Sequence, residues 1–110
     1  MSSTRSYKLY EIREKVIQIL KQLAKELNAV IYLFGSYARG DHLLDSDIDI
    51  IVVSEEFRNM KPSERAWIVR SRLPRDLSFD IIALTPEEFE KKKNNIFFKE
   101  ISRHWIEIKP

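Results

Sequence analysis

Apolar positions at spacings of three and four open the chain. Leu9, Ile12, Val16, Ile19, Leu20, Leu23 and Leu27 form one stripe, and Lys and Glu fill the opposite face. That period predicts an amphipathic helix from about residue 6 to 27. The pattern then changes. Ala29 to Phe34 is a continuous apolar run, rich in β-branched and aromatic residues and stopped by Gly35, which reads as a buried strand. Ser36 to Gly40 follows as a turn or one short helical turn, and His42 to Ser46 as a polar loop. Ile48 to Val53 predicts a second buried strand. Pro62-Ser63-Glu64 opens a helix carrying Ala66, Trp67, Val69, Arg70 and Leu73, and Pro74 ends it. Phe79 to Leu84 is the third strand. Thr85-Pro86-Glu87-Glu88 is a helix start, with Thr85 as N-cap, Pro86 in the first helical position and Glu88 in capping-box register. Asn94-Asn95 breaks that helix. Ile96 to about His104 predicts a last short helix with Phe97, Ile101 and Trp105 on one side, and Trp105 to Ile108 closes as a short strand.

No internal repeat, linker or low-complexity stretch interrupts this order. Residues 1–110 are expected to form a single α/β (α+β) domain, a short mixed β-sheet packed against helices. With 44% apolar and 33% charged residues the chain is of globular type, with room for one core. Net charge is only +2 and the basic residues are dispersed, which argues against nucleic acid as a direct partner. Lys91-Lys92-Lys93 reads as a solvated helix end. Cysteine is absent, so disulfides, thiolate catalysis and Cys-based metal sites are excluded. No stretch has the length and apolarity of a membrane span or signal peptide, and a cytoplasmic setting is expected.

Three acids stand in awkward places. Asp47 and Asp49 are two apart at a strand entry, so their side chains share a face. Asp80 interrupts an apolar strand, and joins the other two if the third strand pairs beside the second. Like charges gathered in a partly dry place repel one another, and a divalent cation relieves that repulsion. Alone, Asp45-Ser46-Asp47 is an ordinary turn and strand entry. Alone, Asp80 reads equally as a buried acid paired with an Arg. Gly35-Ser36 closes the first strand. Gly35 lets backbone approach a phosphate, and Ser36 with the N–H groups of the turn can donate to its oxygens. The competing reading is a plain strand-ending turn capped by Ser36. Arg39 either adds charge for a phosphate or braces the loop by pairing with an acid.

Of the remaining side chains, His42 reads as an exposed loop histidine, and His104 as cover for the core edge. Tyr37 reads as packing for the turn, and Trp67 and Trp105 as core or interface anchors.

Together, Gly35-Ser36, ten intervening residues, then Asp47-Ile48-Asp49 resemble the signature of the nucleotidyltransferase superfamily with the DNA-polymerase-β-like fold. Asp80 stands where that family carries its third carboxylate. The helix-first layout and short length look most like the minimal nucleotidyltransferases of bacteria and archaea, and the resemblance covers roughly residues 10 to 105. It implies that Gly35, Ser36 and, least firmly, Arg39 hold the triphosphate of an NTP, with ATP as substrate. It implies that Asp47, Asp49 and Asp80 are catalytic and ligate two Mg²⁺ ions. NMP would pass to an acceptor hydroxyl, with pyrophosphate leaving. Minimal members often occur with a HEPN-domain protein, so the resemblance implies an antitoxin of the type VII kind that adenylylates a HEPN toxin. Transfer to RNA or a small molecule with a partner subunit is the alternative, and a non-catalytic binding antitoxin a further one. Apolar surface left over on so small a domain favours a partner or a homo-oligomer.

Overall fold

The computed structural model describes the backbone of residues 3–110 and the side chains from Tyr7 onward. Helix α1 spans Ser3–Leu27. Its stripe buries Val16, Leu20, Leu23, Ala24 and Leu27 almost completely. Asn28 then takes a left-handed conformation (φ 48°), which ends the helix and turns the chain into the sheet. Strand β1 is Val30–Phe34, α2 is the single turn Ser36–Arg39, and β2 is Ile48–Val53. Ser54 caps a 3₁₀ turn at Glu55–Phe57 by accepting from the Glu56 N–H, an element the apolar pattern does not announce.

Helix α3 covers Pro62–Ser71, and Glu64 accepts from the Lys61 N–H at 2.8 Å to close its first turn. Strand β3 is Phe79–Leu84. Helix α4, Pro86–Lys92, has the expected capping box: Thr85 Oγ1 accepts from the Glu88 N–H (3.2 Å), and Glu88 Oε1 accepts from the Thr85 N–H (2.9 Å). Asn95 both separates the last helices and caps the second, accepting from the Phe98 N–H at 3.2 Å. Helix α5 stops at Ile101, three residues short of the expected end. Phe98, rather than Phe97, is its buried aromatic. Strand β4 is Ile106–Ile108.

The strands form one mixed sheet in the order β3-β2-β1-β4. β1 is antiparallel to both β2 and β4, and β2 is parallel to β3. Alternation splits the sheet into two faces. Ile31, Leu33, Ile48, Ile50, Val52, Phe79 and Ile108 pack with α1 and with Val69 and Leu73 of the α3 segment. Phe34, Ile51, Val53 and Leu84 pack on the other face with Phe98, Phe89 and Trp105. Burial on both faces explains why β1 and β2 read as unbroken apolar runs. Among the described residues no helix is long and apolar enough to cross a membrane.

Candidate active site

Three chain segments converge at one end of the sheet: the exit of β1 and the entries of β2 and β3. The antiparallel register sets Phe34 opposite Asp49. The parallel register sets Asp49 beside Asp80. Asp49 shares the face of Ile51 and Val53, and Asp80 the face of Ile82 and Leu84, so both carboxylates lie on the α4–α5 side of the sheet. Extending the parallel register one residue back puts Asp47 beside Ser78, whose hydroxyl donates to Asp47 Oδ1 at 2.7 Å.

Gly35 follows β1 with φ 74° and ψ −153°, a region essentially reserved for glycine. A Cβ at Gly35 would collide with the Asp49 carboxylate. The glycine therefore does two things: it makes the turn into α2, and it leaves room for an acid to lie against the backbone. Ser36 begins α2, whose first N–H groups have no intrahelical acceptor. The Ala38 and Arg39 N–H groups donate to the Gly35 carbonyl at 3.1 Å, and Gly40 closes the turn in a left-handed conformation.

Asp49 is half-buried, whereas Asp47 and Asp80 are exposed. The partly dry surroundings expected from sequence thus hold for one acid of the three. Burial raises the pKa of Asp49, and the charges of Asp80 and Asp47 raise it further, against a smaller opposing effect of Arg39. Arg39 does not pair with any of these acids. Its Nε donates to Asp41 Oδ2 at 3.2 Å in an exposed ion pair, a contact of small energetic worth.

Among the described residues no three His, Asp or Glu side chains converge into a ready-made cation cage. Asp49 and Asp80 are neighbours by register, and Asp47 lies one residue before the paired stretch. Asp47 leans on Ser78, and Asp49 lies under Gly35. The donor set is nonetheless hard oxygen carrying mutual repulsion, which suits a hard divalent cation that keeps part of its water shell. Asp47, Asp49 and Asp80 are the residues that could hold one.

Two further side chains hold the turn, and one of them, Arg13, is far away in sequence. Arg13 of α1 donates from Nε to the Tyr37 carbonyl (2.6 Å) and from Nη2 to the Ala38 carbonyl (3.0 Å), satisfying the end of α2. His42 is buried, contrary to its reading as an exposed loop residue. Its Nε2 lies 2.9 Å from the Leu9 carbonyl, and its ring stacks on Tyr37 at 4.2 Å. Tyr37 is 1% exposed, in keeping with a packing role. His104 is exposed. Trp67 is 70% exposed, so it is no core residue, while Trp105 packs on the sheet against Tyr32. Arg13 does leave a trace in the sequence, because it is a charge set four residues after Leu9 and three before Val16, on the buried stripe. The role of Ser78 is visible only once β2 and β3 are paired.

Residues 13–105 match the family of nucleotidyltransferase domains. A protein of Methanocaldococcus jannaschii, provisionally named a protein adenylyltransferase, is 28% identical over 101 residues, spanning 86% of this chain and 99% of that one. The crystal structure of a provisionally assigned nucleotidyltransferase from Sulfolobus solfataricus superposes with a TM-score of 0.58 at 28% identity. The match covers 76% of this chain and 78% of the other.

Proposed function

The chain belongs to the nucleotidyltransferase domain family and is a nucleotidyltransferase, and from that premise we propose that it moves AMP from ATP to a hydroxyl group on a partner protein. The single observation that carries this reading is the junction of its two halves. The Gly35 backbone lies against the Asp49 carboxylate, and Asp49 sits in register beside Asp80. A triphosphate held by the Gly35–Ser36 turn is thereby brought next to paired acids.

In the proposed reaction the Ser36 hydroxyl and the first N–H groups of α2 donate to phosphate oxygens. Arg39, exposed at the end of α2, adds positive charge. Asp80 lies on the outermost strand, so it faces the acceptor and takes up the proton of the attacking hydroxyl. The hydroxyl oxygen bonds to the α-phosphorus. The bond from that phosphorus to the bridging oxygen breaks, and pyrophosphate leaves with the electron pair. Asp47, Asp49 and Asp80 would hold divalent cations, Mg²⁺ by donor chemistry, which supply charge neutralisation at the entering and leaving oxygens. Asp47 is kept in place for this by Ser78.

A protein acceptor is supported by the provisional name of the M. jannaschii relative, which the chain matches over nearly its whole length. The partner we propose is a HEPN-domain toxin in the cytoplasm, which would make this chain an antitoxin acting by adenylylation. The test is co-expression with the neighbouring gene product, followed by intact mass measurement with ATP and Mg²⁺. An added AMP mass on the partner is expected. Stable binding with no mass change would remove the catalytic reading in favour of a binding antitoxin, and ladders on an RNA primer would move the acceptor to nucleic acid.

A further inference from the structure

β3 is an edge strand of the sheet beside the carboxylates, and most of its outward hydrogen-bonding groups have no partner among the described residues. The Ile48 N–H donates to the Ser78 carbonyl (2.8 Å) and the Ser54 N–H to the Leu84 carbonyl (3.0 Å), so even-numbered residues turn their polar groups towards β2. Phe79, Ile81 and Ala83 must then turn theirs outward. Arg65 confirms the parity: its Nη1 donates to the Ala83 carbonyl at 3.2 Å and closes that end of the edge. Among the described residues nothing does the same for Phe79 or Ile81. An open edge is a template for strand pairing, and proteins commonly blunt it. Here the blunting stops short of the two residues that flank Asp80.

Two grooves border residues of this strand. One, of about 430 Å³, lies beside Phe79 and is bordered by Trp67, Arg70, Leu73 and Arg75. The other, of about 520 Å³, lies beside Ile81 to Leu84 and reaches Phe97 of α5. Arg70 and Arg75 are exposed and have no ion-pair partner among the described residues. Trp67 stands beside them, exposed over 70% of its surface.

We propose that the open edge of β3 receives an extended, acidic segment of the acceptor protein as an added strand, placing a hydroxyl side chain beside Asp80. The proposal rests on the protein-acceptor reading above and names the form in which that acceptor binds. Alternate side chains of an added strand fall on opposite faces of the sheet. One set meets Arg70, Arg75 and Trp67, which suits Glu or Asp. The other set meets Asp80 and then Ile82 and Phe97, which suits a hydroxyl residue followed by an apolar one. A residue directly across from Asp80 has its Cβ about 5 Å away on the same face. The Arg65 block at Ala83 fixes the register by leaving only Phe79 to Ile81 to pair. Main-chain hydrogen bonds give such docking its affinity, and the two grooves give it selectivity.

The test uses the full chain and a synthetic peptide, Glu-Val-Glu-Ser-Glu-Val-Glu, with a counterpart carrying Lys for every Glu. Without nucleotide, the acidic peptide at about 1 mM should slow amide hydrogen exchange at Phe79 and Ile81 about tenfold or more, and the basic one should not. Ile81→Pro removes an outward N–H without touching the β2 ladder, and should abolish protection at Phe79. Should that variant fold poorly, Arg70→Glu with Arg75→Glu serves instead, and should transfer the preference to the Lys peptide. No slowing with either peptide, or slowing that ignores peptide charge and the arginine reversal, overturns the proposal. ATP and Mg²⁺ are added separately. Protection without AMP transfer leaves the docking edge standing and removes the protein-acceptor reading. AMP transfer to a partner without protection at the edge does the reverse.

Discussion

Asp49 is the residue on which the site turns, and its environment works against its charge. Its pKa is raised above the ordinary 3.8, first by burial and then by Asp80 and Asp47. The native state therefore holds this proton more tightly than the unfolded chain does. Stability associated with protonated Asp49 is lost as pH rises from the ordinary value through the raised one. Asp49→Asn should accordingly be more stable than the parent at neutral pH in metal-free buffer, as read by chemical denaturation. The same logic predicts a metal effect. Mg²⁺ should raise the melting temperature of the parent at pH 7, and the gain should shrink as pH falls, because protons compete for the same carboxylate. A ligand at a hundred times its Kd contributes about 2.7 kcal/mol, which sets the scale. Asp49→Asn should lose most of this gain. Gly35→Ala should fail differently, since its backbone conformation alone costs an alanine about 1–3 kcal/mol, before the collision with Asp49. Its denaturation midpoint and its nucleotide binding should both fall. That these residues would gather at one place was legible in sequence, because Gly35-Ser36 and Asp47-Ile48-Asp49 stand at the end of one strand and the start of the next. That Gly35 touches Asp49 was not, because the contact exists only after β1 and β2 pair.

At the scale of elements, polar clamps tie helices to the sheet. Arg65 is buried on α3 and donates to the Met60 and Ala83 carbonyls and to both oxygens of Glu88. Hydrogen bonds to Arg65, and Glu88's own bonds with Thr85, hold the Glu88 pKa down to about 2. The stability from Glu88 is thus fully present above its ordinary 4.5 and is lost as pH falls from there towards about 2. Arg65→Ala should cost on the order of 2–3 kcal/mol through its unpaired carbonyls, and should flatten this acid limb of the stability profile. Arg13 plays the corresponding part for α2, by holding the Tyr37 and Ala38 carbonyls. It touches no reacting atom and is a positioning residue. Arg13→Met should raise KM for ATP more than it lowers kcat, whereas a general loss of fold would lower kcat together with the melting temperature.

Element type and order followed from periodicity and caps, with the Thr85–Glu88 box the clearest case. Three features escaped it. The 3₁₀ turn after Ser54 is too short to show a period. α5 ends early at Ile101 because the chain must turn back to pair β4 with β1. α3 turns Arg65 inward and Trp67 outward, since Glu88 satisfies the buried guanidinium.

For the molecule as a whole, both faces of a four-stranded sheet are covered, and the candidate site lies at one end of its strands. Large apolar side chains remain outside: Tyr7, Tyr10, Leu43, Leu44, Trp67, Ile96 and Phe97. Tyr7 and Tyr10 of α1 and Ile96 of α5 lie on other elements than the three acids, so losing the carboxylates should leave partner binding intact. The Asp47→Asn/Asp49→Asn variant should lose AMP transfer by at least about a hundredfold, yet still co-elute with its partner in size-exclusion chromatography.

The contact between Gly35 and Asp49 also bears on how such a protein can change over generations. A larger residue at position 35 is tolerable only if position 49 becomes smaller, and a smaller position 49 gives up a carboxylate the site depends on. Position 35 is therefore held twice, by its backbone conformation and by its neighbour, whereas position 49 is held by its charge alone. A lineage that abandons catalysis should therefore lose Asp49 first and keep Gly35, because the backbone conformation still asks for glycine after the carboxylate has gone.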